Sequence, residues 1–278
     1  MRRTASTMRD PVPRATATVA AMSAVDQWAA SLAEWGIPDE ILAAAPQSPW
    51  IHPVSTFTPS GDLFVDTPSR HLALDALSPG DSVLDVGCGG GRAAFGLTPP
   101  ATEVVGVDHQ AGMLEVFAAQ AAERGVTCTT VLGDWPDMAP HAPVCDVVVC
   151  HHVFYNVADL GPFAQALAAR ARRRVVVELP QRHPLSRLSP AWEHFWGLQR
   201  PQHPTAHDAV AVLAEIGIDA AITTWEEDAP SARPVTDVDV EHTRIRLCLT
   251  ADRDDEVREF LTAETPTGRS LATIHWDV

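Results

Sequence analysis

The side chains best suited to chemistry stand where short hydrophobic segments meet glycines. Asp85 lies in the hydrophobic segment 82–86, which runs straight into glycines at positions 87, 89, 90 and 91. Glycine lets a backbone turn sharply and approach a ligand without a Cβ in the way. A helical pattern resumes at Ala93, and a helix N-terminus offers unpaired N–H groups and a partial positive charge. This arrangement favours a nucleotide-like ligand, with Asp85 placed to meet a cationic amine.

Two further carboxylates follow the next two hydrophobic segments. Asp108 ends the second segment about 20 residues after the glycine turn, where a ribose diol needs an acceptor. Asp134 ends the third segment beside Trp135, so that the acid could accept from an exocyclic amine and the indole could pack against a base. The three acids together predict a nucleoside site.

These residues require a parallel sheet that brings strand ends together. Short, continuously hydrophobic segments alternate with helical patterns, which is typical of a parallel sheet covered on both faces. We therefore predict an α/β fold with a doubly wound, seven-stranded, mostly parallel sheet. Strands are expected at 82–86, 103–107, 127–132, 146–150, 174–179, 220–226 and 241–250, with helices that include 111–124, 160–172, 205–216 and 252–263, and the tail 270–278 is apolar enough for a short strand.

The same patterns suggest how the chain is organised. Residues 1–22 look like a disordered leader, although translation could instead begin at Met22. Residues 23–68 predict an N-terminal helical cover, and residues 69–250 predict the ligand-binding domain. An insertion at 181–204 is longer than a simple connection needs and predicts a lid. Residues 251–278 predict a C-terminal helix and tail.

Composition limits the classes of partner. The 36 acidic and 20 basic residues give a formal charge of −16, which disfavours binding to nucleic acid or to an anionic membrane surface. The 5 cysteines show no CxxC spacing, so we expect neither a metal site nor disulfides. Reduced thiols and the lack of a secretory signal pattern predict a cytoplasmic protein. The sequence leaves the oligomeric state open.

Four motifs in order resemble the class I S-adenosylmethionine-dependent methyltransferases. Residues 85–91 match the family's acid followed by GxGxG, and residues 106–114, 133–134 and 146–157 resemble its second, third and fourth motifs. The resemblance covers about residues 69–228. One departure is visible, because residues 169–174 replace the Pro-Gly-Gly turn that often precedes the family's fifth strand.

The resemblance implies a role for each motif residue toward S-adenosylmethionine. Asp85 and the backbone of Gly87, Gly89 and Gly91 would hold the methionine part, and Asp108 would bind the ribose hydroxyls. His109 and Met113 would flank the ribose and adenine, Asp134 and the Trp135 backbone would read the adenine, and His151 would lie near the sulfonium.

Methyl transfer also needs an aligned acceptor and sometimes a base. Candidates for the base are His151, His152, Tyr155 and Glu178, all expected at or beyond the carboxyl ends of the fourth and fifth strands. His152 is the first choice because histidine titrates near neutrality. Aromatic side chains of the lid and of the cover could form an apolar pocket for a small-molecule acceptor: His183, Trp192, His194, Phe195, Trp196 and His203, with Trp50, His52 and Phe57.

Two alternatives remain at the level of sequence. Gly89, Gly91 and Ala94 also satisfy the GxGxxA pattern of NAD-dependent oxidoreductases, although that class gives no role to Asp134. A non-catalytic S-adenosylmethionine-binding module would keep the three acids and lack an open acceptor pocket. We expect a methyltransferase that modifies oxygen or nitrogen of a small molecule.

Overall fold

A seven-stranded sheet with helices on both faces forms the body of the protein. The computed structural model describes residues 22–49, 66–229, 233–265 and 267–278. The strand order is β3-β2-β1-β4-β5-β7-β6. Neighbouring strands are parallel except that β7 is antiparallel to both β5 and β6. The strands are β1 Ser82–Val86, β2 Glu103–Asp108, β3 Thr127–Leu132, β4 Cys145–His151, β5 Ala171–Pro180, β6 Ala221–Glu227 and β7 Arg269–Asp277. The predicted fold class is confirmed.

The helices are α1 Ala24–Ala33, α2 Asp39–Ala44, α3 Pro68–Asp75, α4 Arg92–Phe95, α5 Ala111–Arg124, α6 Leu160–Ala168, α7 Ser189–Trp196, α8 Ala206–Glu215, α9 Asp237–Arg246 and α10 Asp254–Ala263. Helix α8 begins at the predicted N-cap, Thr205, which forms a capping box with Asp208. Helix α5 ends at Gly125, whose left-handed backbone closes the helix.

Two hydrophobic cores lie on opposite faces of the sheet. All five residues of β1 are buried, as expected for a strand covered on both sides. Alternate strand residues pack against α1, α6 and α8 on one face and against α3, α4 and α5 on the other. The second face also carries the side chains of Asp85, His151 and Glu178. Because side chains alternate between the two faces along a strand, these polar groups lie on the side of α3, α4 and α5.

A third core joins distant parts of the chain into what we call the cap, formed by α2, α7, α9 and α10. Its buried residues include Ile41, Trp192, Val240 and Val257. Arg200 ties the cap to the end of α1, because its guanidinium donates hydrogen bonds to the carbonyl oxygens of Trp35 and Gly36. The helical part of the N-terminal cover therefore packs on the lid insertion.

One predicted strand is wrong. Residues 241–250 fall largely in helix α9, not in a strand. Thr236 and Asp239 form a capping box that starts this helix, and its last turn carries Arg244 and Arg246, which favour the helix dipole. The seventh strand is instead β7, in the tail where a short strand was expected.

Several boundaries differ from those predicted. The predicted helix 160–172 is shorter, since α6 ends at Ala168 and β5 begins at Ala171. The sheet continues to residue 277, beyond the boundary expected at 250, and the four-part domain division stays a prediction. Most of the expected leader lies outside the described residues.

Candidate functional site

The glycine turn connects β1 to α4 and brings two backbone N–H groups toward β2. The amides of Gly87 and Cys88 donate to the Val107 carbonyl oxygen at 2.8 and 3.1 Å. Gly87 has a φ of +71°, and a Cβ there would stand 2.4 Å from a methyl carbon of Val153. A side chain at this position would therefore both strain the backbone and displace the loop that follows β4.

Asp108 fastens this turn to the end of β2. Its Oδ2 accepts from the Gly89 amide at 3.0 Å and its Oδ1 accepts from the Gln110 amide at 2.9 Å. Each carboxylate oxygen has a second lone pair, so both can still accept from a diol. The exposed ring of His109 lies beside it, with Nδ1 3.7 Å from Oδ1 of Asp108.

The third acid, Asp134, follows β3, which flanks β2 on the side away from β1. The Gly133 amide donates to the Asp108 carbonyl oxygen at 3.0 Å, which holds the two strand ends together. The Asp134 carboxylate is exposed and has no hydrogen-bond partner in the part of the chain that is described. The Trp135 indole N–H donates to the Phe163 carbonyl oxygen at 3.2 Å, so the half-buried ring is anchored. Met113 is almost fully buried, at 2% exposure.

Asp85 is the most deeply buried of the three acids. It is 1% exposed, and its Oδ2 accepts from the Ala94 amide at 3.2 Å. Burial raises the pKa of Asp85 to about 7; the Ala94 hydrogen bond opposes this shift, and the charge of Asp108 adds to it. The carboxyl group therefore changes charge near neutral pH.

These groups fit a cofactor that combines a nucleoside with an amino acid. Spare lone pairs on Asp108 suit a ribose diol, and the unpartnered Asp134 suits an amine donor. Asp85 suits a cation. Burial favours the protonated carboxyl group, and the charge of a bound cation would stabilise the ionised form instead. The turn without side chains gives such a ligand close access to the backbone.

A second polar group gathers around Glu178, next to α4 and at the carboxyl ends of β4 and β5. Nε2 of His152 lies 3.3 Å from Oε1 of Glu178, and Nδ1 of His151 lies 4.0 Å from the same oxygen. The two histidines reach one carboxylate because the His152 backbone is left-handed, with a φ of 61°, and its amide donates to the Glu178 carbonyl oxygen at 2.6 Å. Strained residues of this kind concentrate at functional sites.

The environment fixes the charges of this group. Burial alone would raise the pKa of Glu178, but the neighbouring His151, His152 and Ser69 outweigh it and lower the pKa to about 2. Burial lowers the pKa of His151 to about 4, although Glu178 opposes that shift. At neutral pH, Glu178 is therefore ionised and His151 is neutral. The His151 Nε2 is buried without a hydrogen-bond partner among the described residues.

Tyr155, the third predicted base, does not join this group. Its hydroxyl donates to the Pro180 carbonyl oxygen at 2.9 Å, and its ring stacks on Trp28 at 5.7 Å between centroids. Burial raises the pKa of Tyr155 above its usual value. The side chain holds the end of β5 to α1 and has no free proton acceptor to offer.

A cleft of about 400 Å³, counting the solvent at its mouth, opens beside the Glu178 group. Sequence reasoning gave no role to four of the polar residues that line it, Thr67, Ser69, Arg70 and Arg92. Ser69 and Thr67 start α3, and Arg92 starts α4, so their helix-start positions were the available signal. The cleft-lining polar residues are Thr67, Ser69, Arg70, Arg92, His151 and Glu178.

The lid does not line this cleft, but part of it, with Trp192, Leu185 and Leu188, lines a smaller cavity in the cap together with Pro49 of the cover. Trp192 is buried in the cap core, and the Trp196 indole N–H donates to the Leu247 carbonyl oxygen. His183 stacks on Trp35 at 4.2 Å, while the other aromatic lid residues, His194, Phe195 and His203, contact Glu256, Phe260 and Asp208. The sequence pattern of an apolar, aromatic segment does not distinguish residues that line a pocket from residues that fill a core. Trp50, His52 and Phe57 lie outside the described residues.

The described ranges contain no group of three or more His, Cys, Asp or Glu residues placed to hold a metal ion. None of their helices is long and apolar enough to cross a membrane.

Comparison with known proteins gives a consistent picture. A family model described as a methyltransferase domain matches residues 83–175. A ubiquinone biosynthesis O-methyltransferase from Azorhizobium caulinodans is 36% identical over 98 residues, which are 34% of this chain and 39% of that protein. A nocamycin O-methyltransferase from Saccharothrix syringae is 39% identical over 116 residues, 40% of each chain. The chain thus spans about two fifths of the length of these relatives.

The fold comparison extends further along the chain. The crystal structure of the YcgJ protein from Bacillus subtilis superposes with a TM-score of 0.50 at 17% identity. The match covers 75% of this chain and 97% of that one. At this identity the likeness concerns the fold alone.

Proposed function

Because the chain belongs to the class I S-adenosylmethionine-dependent methyltransferases, we propose that it methylates a hydroxyl oxygen of a small molecule. One observation carries this proposal: His152 stands 3.3 Å from the buried, ionised Glu178 beside the cleft. A histidine held by a carboxylate through one nitrogen presents the other as a base.

Two groups of residues divide the work. Asp108, Asp134 and the glycine turn would hold the nucleoside, and Asp85 would hold the ammonium group of S-adenosylmethionine. When bound, S-adenosylmethionine supplies a methyl group that its positively charged sulfur already activates. His151 would lie near this charge, and its low pKa keeps the ring neutral there, so that the two do not repel each other.

The proposed base favours oxygen over nitrogen as the acceptor atom. A neutral amine attacks through its own lone pair, whereas a hydroxyl becomes a strong nucleophile only as its proton leaves. His152 Nδ1 would take this proton, and Glu178 would stabilise the imidazolium that forms. The relatives quoted above carry the name O-methyltransferase, which supports the same choice.

We also propose a reducing compartment, the cytoplasm. All five cysteines are free thiols, and Cys88, Cys145, Cys150 and Cys248 are buried. Four reduced thiols inside folded cores agree with an intracellular protein.

Calorimetric titration with S-adenosylhomocysteine tests the cofactor site. We expect micromolar binding to the wild type, and a loss of about tenfold or more in Asp108→Ala, because a hydrogen bond to a charged group is worth about 1.5–3 kcal/mol. Asp219→Ala, which removes an exposed acid from the connection between α8 and β6, is the matched control and should bind normally. Binding of NAD(H) in place of S-adenosylhomocysteine would overturn the proposal.

Transfer of a tritiated methyl group to a panel of phenols, enols and alcohols tests the reaction. We expect His152→Gln to lower kcat about 10²- to 10⁴-fold, as general bases usually contribute. Its affinity for S-adenosylhomocysteine should be unchanged. Tight cofactor binding without transfer to any member of the panel would instead support a non-catalytic binding module.

A further inference from the structure

We propose that Trp28 and Tyr155 form a clamp that holds residues 152–157 in place and thereby positions the His152 ring against Glu178. We call this segment, which directly follows β4, the base loop. The inference rests on the proposed function for the role of His152 as the base. The contacts that form the clamp do not depend on that role.

The backbone of His152 needs support from its surroundings. Its φ of 61° lies in the left-handed region, which is unfavourable for a residue with a Cβ. This conformation lets the His152 amide donate to the Glu178 carbonyl oxygen at 2.6 Å while Nε2 lies 3.3 Å from Oε1 of the same glutamate. A strained residue persists only where the structure around it determines its conformation. The rest of the base loop must therefore be held firmly.

The base loop is compact, so a restraint on its far end reaches His152. Residues Phe154–Asn156 form a single 3₁₀ turn. The Asn156 amide donates to the Val153 carbonyl oxygen at 2.8 Å, and the Val157 amide donates to the Phe154 carbonyl oxygen at 2.9 Å. Phe154 is fully buried, and its ring meets that of Phe163 edge-on at 5.9 Å between centroids. The loop therefore behaves as one packed unit.

The clamp joins this unit to the strand that carries Glu178. The Trp28 indole N–H donates to the Val157 carbonyl oxygen at 2.8 Å, and the Trp28 ring lies nearly parallel to that of Tyr155. The Tyr155 hydroxyl donates to the carbonyl oxygen of Pro180 at 2.9 Å, two residues beyond Glu178 on β5. Trp28 is 1% exposed and Tyr155 is 5% exposed, so water does not compete for these bonds. The clamp thus fixes the loop and the carboxylate relative to each other.

Helix α1 is itself held at both ends, which gives Trp28 a fixed position. At its start, the Ala24 amide donates to the carboxylate of Glu215 on α8. Trp35, two residues beyond its end, stacks on His183 and donates its indole N–H to the His203 carbonyl oxygen at 2.6 Å. Trp35 therefore contacts the lid, whereas Trp28 contacts the base loop.

Trp28 and Tyr155 are positioning residues, since neither lines the cleft. They act through the backbone on His152, whose ring must meet both Glu178 and the acceptor hydroxyl. Proton transfer requires the base to lie within hydrogen-bond reach of the proton that it takes. The N-terminal cover would thus contribute to the reaction through Trp28, from outside the motifs of the cofactor site.

Hydrogen exchange and nuclear magnetic resonance of the cofactor-free protein test the clamp without an acceptor. Trp28→Phe keeps an aromatic ring and removes only the N–H donor. We expect exchange of the His152 and Val157 amides to accelerate about three- to tenfold, the equivalent of one neutral hydrogen bond. In mildly alkaline buffer, ring-nitrogen signals of labelled His152 should change from the Nε2–H tautomer, which the Glu178 contact requires, to a mixture of tautomers.

Trp35→Phe is the matched control. It removes an equivalent indole hydrogen bond from the same part of the chain, but that bond goes to the lid. Exchange in the base loop and the His152 tautomer should stay as in the wild type. An equal response to Trp28→Phe and Trp35→Phe would overturn the inference, because it would reflect a general loosening of α1.

Kinetics with an acceptor from the panel test the connection to the base. Trp28→Phe should lower kcat about tenfold, less than the roughly 10²-fold that a 1 Å misplacement can cost, and leave the affinity for S-adenosylhomocysteine unchanged. In the His152→Gln background it should lower kcat no further, because residues that act through one group are not additive. The same tenfold loss in both backgrounds would contradict a positioning role.

Tyr155→Phe keeps the ring and removes only the hydroxyl, so it tests the clamp if Trp28→Phe does not fold. It should affect exchange, tautomer and kcat in the same direction. Wild-type exchange and tautomer in a folded variant of either residue would overturn the inference. If His152→Gln retains full kcat, the proposed base is wrong, while the exchange and resonance data still decide whether the clamp holds the loop.

Discussion

At the scale of single residues, the three acids of the proposed cofactor site show how position changes the properties of one functional group. Asp108 is fixed by two backbone amides, and Asp134 is exposed to solvent. Only Asp85 lies fully inside the fold, where burial raises its pKa to about 7. Its carboxyl group is therefore the one whose charge should respond to ligand binding at physiological pH.

Affinity for S-adenosylhomocysteine should depend on the ionisation of Asp85. The bound ammonium group favours the ionised carboxylate, so binding below pH 7 must release a proton. Linkage then predicts that affinity increases as pH rises from about 5.5 to 7, by up to about tenfold per unit, and levels off above the pKa. Calorimetry at several pH values measures this slope.

Asp85→Asn supplies the comparison for that titration. The amide keeps the shape of the side chain and does not titrate, so the variant should bind more weakly and lose the slope below pH 7. A wild-type affinity that stays level across this range would contradict the assignment of Asp85. The change in proton release can be read independently from calorimetry in two buffers of different ionisation enthalpy.

At the scale of elements, the turn between β1 and α4 tolerates no side chain at Gly91. A Cβ there would stand 2.2 Å from the ring of Phe95, in a backbone with a φ of +87°. We expect Gly91→Ala to reduce the free energy of unfolding by about 2–4 kcal/mol, the sum of backbone strain and overpacking. Urea denaturation measures the loss.

Gly125 separates these two contributions. It ends α5 with a φ of +65°, and a Cβ there would meet nothing within 4 Å. Gly125→Ala should therefore cost only the strain, about 1 kcal/mol. Equal losses in the two variants would mean that the crowding near Phe95 has no energetic effect.

The sequence predicts elements well where one physical signal dominates. The strands at 82–86 and 127–132 were predicted to the residue, the first because it is a buried apolar run bounded by turn residues. Residues 241–250 contain Thr243 and Ile245, which favour strands, and the capping box at Thr236 decides against them. The acids of the proposed cofactor site could be predicted because they stand at strand ends beside glycines.

The rest of the candidate site depends on pairings between distant segments. Ser69 and Thr273 are in contact because β7 lies next to β5 in the sheet. No local sequence pattern predicts which strands are neighbours of β7. The same limit explains the lid, where apolar side chains expected around an acceptor fill the cap core instead. Local patterns predict the helices and strands, whereas the order of strands in the sheet determines which of their side chains come into contact.

At the scale of the whole molecule, a buried cation, Arg200, joins the cap to the end of α1. Arg200 is 8% exposed, and its guanidinium lies 5.4 Å from the ring centroids of both Trp35 and Trp192. Arg200→Ala should reduce the free energy of unfolding by about 2–3 kcal/mol, through lost hydrogen bonds and cation–π contacts. Hydrogen exchange should accelerate in α2 and α7.

Affinity for S-adenosylhomocysteine should survive in the same variant, since Asp108 and Asp134 lie on the opposite half of the sheet. Arg233→Ala, which breaks an exposed pair with Asp239 at the start of α9, serves as the control and should leave exchange in α2 and α7 unchanged. Exchange that stays slow in Arg200→Ala would show that the apolar core alone holds the cap together.

The position of β7 has a consequence for how the protein is made. A ribosome releases β5 first, then β6, and only afterwards the strand that must lie between them. Since β6 pairs with β7 alone, the nascent chain holds β6 without a partner and leaves one edge of β5 uncovered until residues 269–277 emerge. Exposed strand edges invite pairing with other chains. The period between the release of β6 and the arrival of β7 is therefore when this protein is most exposed to aggregation, and when a chaperone would do most for its yield.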